Sequence, residues 1–482
     1  MSRRPFSAFR ANARDHRAGI LVAALSSAFG VALVGGVNVL GAYIGASTMG
    51  EHGSVQLALA IVAGLFFVVA VYVGAIVTTN TFATVIAGRT RTIALLRLIG
   101  SSARTQRRSV ASEGLAVGLI GAAIGGAAAA VLSLVAVRAM VAVGILPDAL
   151  YPVLSVTMVG PAVVVALTTW LASWIGSRRV LAVTPVQALG AAEERPARVV
   201  RSRGRLAVSL LLVLGGTALL TLGLLLGLGV FVRLGGPLAD LSSYGVLVAL
   251  PGGILSFTGI VLAAPFFLPA VLRGVGLLLG RGAAGRLAAA NAVRNPERSS
   301  RTAIGLVIGV TLITMFVVAA STWLQLIRSA AAKEPGMYAG AESVIGGTLA
   351  VFTVLVGFSA VIAACGVVNT LSLSVLQRAR ELGLLRALGF SAAQVRRMIL
   401  AESAQLTVAS VLTGLVLGTV YGWIGAQSLL GMIPGGGLLV PVLPWPFLGA
   451  IILAAAALAV LAALAPTRRA TRVSPVQALT VE

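Results

Sequence analysis

Side chains that commonly perform catalysis or bind metals are scarce in this sequence. The chain of 482 residues has two histidines, His16 and His52, and one cysteine, Cys365. One cysteine cannot form an internal disulfide, and two histidines far apart in sequence do not make the ligand set typical of a protein metal site. We therefore expect no catalytic residue in this chain, and no metal or cofactor bound by it.

Arginine is the abundant polar residue, and the composition indicates its environment. Basic residues number 36 against 13 acidic ones, a net charge of +23, and Lys333 is the only lysine. Hydrophobic residues make up 58% and charged residues 10%, against roughly 45–50% and about 25% in soluble domains. The arginines lie between apolar runs, without the aromatic residues that stack on bases, so we expect a lipid bilayer and no nucleic acid as partner. Abundant arginine and alanine with a single lysine indicate a GC-rich bacterial source, so the expected location is a bacterial plasma membrane.

About ten apolar stretches are long enough to cross a bilayer as helices. They lie near 20–43, 56–80, 114–137, 156–177, 206–231, 244–271, 303–326, 344–370, 403–430 and 446–466. Arginine clusters occupy both termini and every second connection, and because basic loops remain in the cytoplasm, both termini are expected to be cytoplasmic. The predicted fold class is an all-α polytopic membrane protein with about ten transmembrane helices.

Two glutamates lie at the predicted membrane edge. Glu113 and Glu402 directly precede the third and ninth apolar stretches. We interpret each as a carboxylate at a helix N-terminus, where the macrodipole favours negative charge; the alternative is an ion pair with Arg107 or Arg396. Ion-coupled carriers usually keep an ionisable residue inside the bilayer, so the lack of acidic residues within the apolar stretches disfavours a secondary transporter.

The sequence contains a repeated four-helix unit. Residues 91–103 match residues 380–392 at glycine, leucine and arginine positions, and the motif Pro-Val-Gln-Ala-Leu recurs at 185–189 and 475–479. Two copies in the same orientation form a parallel repeat, which predicts a pseudo-twofold axis along the membrane normal. Two similar docking surfaces are therefore expected on the cytoplasmic side.

The repeat divides the chain into three predicted parts. Residues 1–190 form the first four-helix repeat, residues 191–285 a linker with two extra helices, and residues 286–482 the second four-helix repeat.

The repeated loop is amphipathic. Apolar residues recur at helical spacing in both copies: Ile93, Leu96 and Ile99, and Leu382, Leu385 and Leu388. A short interfacial helix is predicted in each, ending at Gly100 or Gly389, with Ser101 or Ser391 capping the helix that follows. Anchoring to anionic lipid needs only basic charge. Because glycine and leucine also recur in one register, docking of a protein partner is favoured.

The second copy resembles the FtsX-like permease family. The resemblance rests on the segment 378–389, Arg-Ala-Arg-Glu-Leu-Gly-Leu-Leu-Arg-Ala-Leu-Gly, on Glu402 and on the closing motif at 475–479. These permeases are membrane subunits of ATP-binding-cassette machines. The ten-span, twice-repeated plan is similar to the bacitracin-resistance branch, but the connections at 44–55 and 327–343 are too short for that branch's large extracytoplasmic domain.

The resemblance implies that the repeated loops dock an ATPase. The implied docking residues are Arg89, Arg97, Gly100, Arg378, Glu381, Arg386 and Gly389. The ends of the cytoplasmic coupling helices are Pro185, Leu189, Pro475 and Leu479. Because the first copy has Thr92 in place of Glu381, the two docking sites are expected to be unequal.

The implied function is that of the permease subunit of an ABC transporter, which is not itself an enzyme. A separate cytoplasmic ATPase, expected in two copies per chain, binds and hydrolyses ATP with Mg, since this sequence contains no phosphate-loop motif. The expected cargo is an amphipathic or hydrophobic substrate such as a peptide, antibiotic or lipid, which is exported or extracted. The alternatives are an ATPase-linked membrane scaffold that regulates cell-envelope enzymes and, less favoured, an ion-coupled secondary transporter.

Overall fold

The computed structural model is helical in all its regular elements across the part of the chain that it describes. That part comprises 17–45, 90–143, 151–178 without 153, 203–235, 239–279, 290, 296–333, 388–430 and 437–457, with scattered residues in 64–79 and 356–360. The chain forms two compact units, residues 1–194 and 195–482. The second unit contains both the two-helix insert and the second repeat.

The described helices match the predicted spans in position. They are α1 Arg17–Gly45, α2 Thr90–Leu98, α3 Ala103–Ala142, α4 Val159–Gly176, α5 Arg203–Gly227, α6 Val230–Arg233, α7 Gly245–Leu279, α8 Pro296–Lys333, α9 Ala392–Leu430 and α10 Trp445–Ala457. Within the described ranges, seven are long and apolar enough to cross a membrane, and α10 is a shorter apolar helix. This confirms a multi-pass helical membrane protein. Most of the predicted spans 56–80 and 344–370 lies outside the described residues, so the count of ten stays a prediction.

In the first unit, α3 packs directly against α1 and α4 through glycines. A Cβ added to Gly121 would lie 2.9 Å from the Ile20 carbonyl oxygen of α1. A Cβ added to Gly118 would lie 2.9 Å from the Ala166 carbonyl oxygen of α4. Small residues let helix backbones approach closely in membranes, where packing replaces the hydrophobic effect as the main source of helix association.

The second unit repeats this three-helix arrangement with α8, α9 and α10. Gly414 lies 289 residues after Gly125, as Gly389 does after Gly100. Gly414 faces α8, where an added Cβ would lie 3.1 Å from the Thr311 amide nitrogen. The core shared by the three helices consists of Leu306, Val310, Val411, Leu448, Ile451 and Ala455. The repeat seen in the sequence is therefore also a repeat of helix packing.

The two inserted helices, α5 and α7, pair along small residues spaced by seven. On α5 these are Ser209, Gly216 and Gly223, and on α7 they are Gly245, Gly252 and Gly259. A Cβ on Gly252 would lie 2.7 Å from the Leu220 amide nitrogen, and one on Gly223 would lie 2.6 Å from that of Ala249. A seven-residue spacing returns to the same helix face about every two turns, so the antiparallel helices touch along a continuous seam.

The inserted helices also pack against α9. The hydroxyls of Ser256 on α7 and Tyr421 on α9 lie 2.9 Å apart. At the C-terminal end of α5, a Cβ added to Gly227 would overlap the backbone of Ser428 in α9. The insert is thus built into the core of the second unit.

Helix α7 is continuous through three prolines, Pro251, Pro265 and Pro269. Neighbouring helices supply donors to the turns around Pro265, since Arg205 Nε donates to the Leu262 carbonyl at 3.1 Å and the Ser300 hydroxyl to that of Ala264 at 3.2 Å. Such partners let a spanning helix tolerate proline.

Helix α8 buries threonine hydroxyls that have no hydrogen-bond partner within the described structure. Three such hydroxyls belong to Thr311, Thr314 and Thr322. Leaving a buried hydroxyl unsatisfied costs about 1–3 kcal/mol. We therefore expect Thr314→Val, which replaces the hydroxyl by a methyl group of similar size, to raise the free energy of unfolding by about 1 kcal/mol.

Thermal unfolding of the purified protein in detergent tests this expectation. The matched control is Thr407→Val on α9, because the buried Thr407 hydroxyl donates to the Ser403 carbonyl at 2.8 Å. This control should be neutral or destabilising. An equal response of both variants would contradict the assignment of an unsatisfied hydroxyl at Thr314.

Candidate functional site

The repeated loop turns at a glycine in both copies. Gly100 has φ +98° and Gly389 has φ +97°, a region that side-chain-bearing residues rarely adopt. After α2, the Ser101 amide donates to the Leu96 carbonyl at 2.9 Å, which is the six-to-one bond of a Schellman motif. The predicted glycine stop is confirmed at Gly100. In the second copy the structure describes the turn at Leu388 and Gly389, and the predicted helix before it lies outside the described residues.

The next helix is capped by serines at equivalent positions of the two copies. In the first copy the cap is Ser102, whose hydroxyl accepts from the Thr105 amide at 3.1 Å. The prediction of Ser101 was wrong, because the amide of Ser101 closes the glycine turn and the helix begins one residue later. In the second copy Ser391 is confirmed: it accepts from the Gln394 amide at 3.2 Å while its own amide donates to Gln394 Oε1 at 2.8 Å.

The apolar face predicted for the interfacial helix is only partly buried. Ile93 is buried, but Leu96 is exposed and Ile99 is 81% exposed. The repeat equivalent of Ile99 is Leu388, which is 70% exposed. Each copy therefore presents an aliphatic side chain directly before its glycine turn. We call Ile99 and Leu388 the turn knobs, and a pocket on a partner could take up such side chains.

The membrane-edge glutamates occupy a different position from the one predicted. Glu113 and Glu402 are the eleventh residues of α3 and α9, and neither helix has an acidic residue in its first turn. The macrodipole interpretation was therefore wrong, because the effect falls off within the first turn. The helices begin earlier than their apolar stretches do.

Several predicted site residues lie outside the described part of the chain. They are Arg89, Pro185, Leu189, Arg378, Glu381, Arg386, Pro475 and Leu479. Arg97 lies in α2, but its side chain is also outside the described residues. Of the predicted docking residues, the structure therefore describes the two glycine turns.

The structure adds a cluster that sequence reasoning missed. It lies where the start of α3 meets the end of α4. The Arg107 guanidinium carbon lies 4.2 Å from the centroid of the Trp174 ring, and that of Arg178 lies 5.8 Å from it. Arg107 Nε also donates to the Ser177 hydroxyl at 3.3 Å. The sequence did contain a signal for this cluster: a tryptophan followed by arginine at the end of an apolar stretch. Aromatic residues collect at membrane interfaces. We call Arg107, Trp174 and Arg178 the arginine–tryptophan cluster.

Comparison with known families places these features in context. A family model described as FtsX-like permease C-terminal matches residues 64–185 and again 353–475, together about half of the chain. The chain belongs to the FtsX-like permease family. Each matched stretch contains one glycine turn of this FtsX-like permease, Gly100 in the first and Gly389 in the second.

Similar curated proteins are permeases of ABC transporters. The uncharacterized ABC transporter permease YknZ of Bacillus subtilis is 28% identical over 29% of this chain and 34% of its own length. The pyoverdine export ATP-binding/permease protein PvdT of Pseudomonas entomophila is 31% identical over 28% of this chain and 18% of its own. The macrolide export ATP-binding/permease protein MacB of Rhodopirellula baltica is 29% identical over 29% of this chain and 19% of its own length.

These matches establish the general class of this FtsX-like permease. It is a multi-pass membrane protein of the ABC transporter permease type, a family that includes export permeases and implies an ATPase partner. The matched stretches cover 34% or less of the length of each of these relatives.

Proposed function

We propose that this chain is the permease subunit of an ABC transporter, with both termini and both glycine turns in the cytoplasm. A separate ATPase hydrolyses ATP with Mg and docks on the two turns, one copy on each. Hydrolysis then drives the export or extraction of an amphipathic or hydrophobic substrate such as a peptide, antibiotic or lipid.

The observation that carries the proposal is the repeated turn. Both copies hold the same left-handed glycine and the same capped helix start, and both expose an aliphatic side chain, Ile99 or Leu388, beside the turn. A single chain that presents one feature twice suits a partner that acts as two copies. The names of two relatives, a pyoverdine exporter and a macrolide exporter, support an amphipathic organic cargo for this chain.

The docking prediction concerns the turn knobs. We expect Ile99→Asp combined with Leu388→Asp to weaken ATPase binding about tenfold at each site, because burying an aliphatic side chain contributes about 1.5–3 kcal/mol and 1.4 kcal/mol corresponds to tenfold. The measurement is purification of the chain from its native membrane in mild detergent, with the mass and stoichiometry of any co-purifying subunit and the ATP hydrolysis rate. The unaltered chain should recover about two ATPase subunits.

The matched control is Leu278→Asp, at an exposed leucine near the end of α7 outside the repeated loop. This control should keep the full complement of ATPase. Equal recovery from the double variant and the control would exclude the turns as docking sites. Recovery of the unaltered chain without any ATPase subunit or hydrolysis would favour a secondary carrier instead.

A further inference from the structure

The arginine–tryptophan cluster is held rigidly in the first unit. The Ser173 hydroxyl of α4 donates to the Val110 carbonyl of α3 at 2.9 Å. One turn later Ser177 donates to the Trp174 carbonyl at 2.7 Å and accepts from Arg107 Nε. Both serines are buried. These bonds fix the ends of the two helices and set the Arg107 guanidinium above the indole ring.

The two arginines of the cluster keep donors available. Within the described structure, Ser177 is the hydrogen-bond acceptor for Arg107, and it uses only Nε. The four Nη hydrogens of Arg107 therefore remain for another acceptor, and Arg178 contributes a second guanidinium on the same ring. A planar guanidinium binds phosphate through paired hydrogen bonds, so two of them beside one ring suit a single phosphate group.

An apolar surface continues from the cluster along α4. The large side chains on this surface are exposed: Leu167, Trp170, Leu171, Trp174 and Ile175. They lie within an apolar helix long enough to span a membrane, Val156–Gly176. The charged end of this surface fits a phosphate and its apolar length fits an acyl chain, whereas an acidic protein partner would need only the charge.

We infer that the arginine–tryptophan cluster binds the phosphate of one anionic phospholipid, with an acyl chain along the exposed face of α4. The tryptophan lies at the level of the glycerol backbone, where aromatic rings collect in bilayers. The first repeat alone has this combination of residues. At the equivalent positions of the second repeat Arg396 and Arg468 stand with Leu464 instead of tryptophan, so one bound lipid per chain is expected.

Native mass spectrometry tests this inference on the full-length chain purified in neutral detergent, titrated with phosphatidylglycerol. One tightly bound phosphatidylglycerol per chain is expected, with weaker binding of phosphatidylcholine. Arg107→Gln with Arg178→Gln should weaken phosphatidylglycerol binding roughly 25-fold, about fivefold for each arginine, because each variant loses charge-assisted hydrogen bonds to the phosphate. Arg178→Gln alone removes no hydrogen bond within the described structure, and it should weaken phosphatidylglycerol binding about fivefold.

The matched control is Arg104→Gln with Arg108→Gln, which removes the same charge from exposed arginines of α3. It should bind phosphatidylglycerol within about twofold of the unaltered chain, because these exposed arginines do not contact the phosphate and salt screens their charge. Equal losses in both double variants would overturn the inference in favour of general surface charge. Displacement of the lipid by millimolar inorganic phosphate would also overturn it, because the site would then recognise free phosphate.

Discussion

The variant Gly216→Ala unfolds at a lower temperature than the unaltered permease, whereas Gly215→Ala does not: this is the expected result at the seam between α5 and α7. A Cβ on residue 216 would lie 2.7 Å from the Gly252 carbonyl oxygen and closer still to the Ser256 amide nitrogen. Both are backbone atoms, so the helices must separate. We expect a loss of about 3 kcal/mol, or a fall in Tm of roughly 3–5 °C for a protein of this size.

The neighbouring glycine provides the control on the same helix. Gly215 has no atom within 4 Å of an added Cβ, so alanine there should be neutral or stabilise α5 by up to about 1 kcal/mol through helix propensity. Thermal unfolding of both variants in one detergent makes the comparison. Equal midpoints would show that the seam does not hold α5 and α7 together.

The second large effect is expected in coupling to the ATPase. Replacing both glycine turns by valine, Gly100→Val with Gly389→Val, should reduce permease-stimulated ATP hydrolysis at least tenfold. Both residues have φ near +100°, and a β-branched residue there costs about 1–3 kcal/mol. The chain relieves this strain by leaving the turn, which moves Ile99 and Leu388 away from the positions they share in the two copies.

Two comparisons separate this effect from general damage. Gly274 lies within α7, and no atom lies within 4 Å of a Cβ added to it. Gly274→Val should therefore leave both the ATP hydrolysis rate and the unfolding temperature unchanged. Gly100→Asn with Gly389→Asn should recover part of the hydrolysis rate, because asparagine adopts positive φ more readily than other residues with a side chain. Full hydrolysis by the valine variant would exclude the turns from coupling.

The sequence by itself determined the membrane-spanning character, the repeat and the helix stop at Gly100. A spanning helix requires a long apolar stretch, and length and polarity are written in the chain. The stop at Gly100 is equally local, because a left-handed residue after a helix needs no distant contact. The serine cap was misplaced by one residue, since it depended on which amide closes the turn.

The tertiary structure decided which residues meet across helices. The sequence shows that small residues repeat every seven positions in α5 and in α7. That these two helices pair with each other, and that Ser256 of α7 contacts Tyr421 of α9, depends on how the helices pack. Arg107 and Trp174 are likewise far apart in sequence, and they meet because buried serines near the end of α4 hydrogen-bond to residues near the start of α3. The position of Glu113 within α3 is instead a local matter, because the helix begins at the Ser102 cap, well before its apolar stretch. Helical periodicity and hydropathy act within one segment, whereas close backbone packing and side-chain hydrogen bonds act between segments, and only the folded chain brings those segments together.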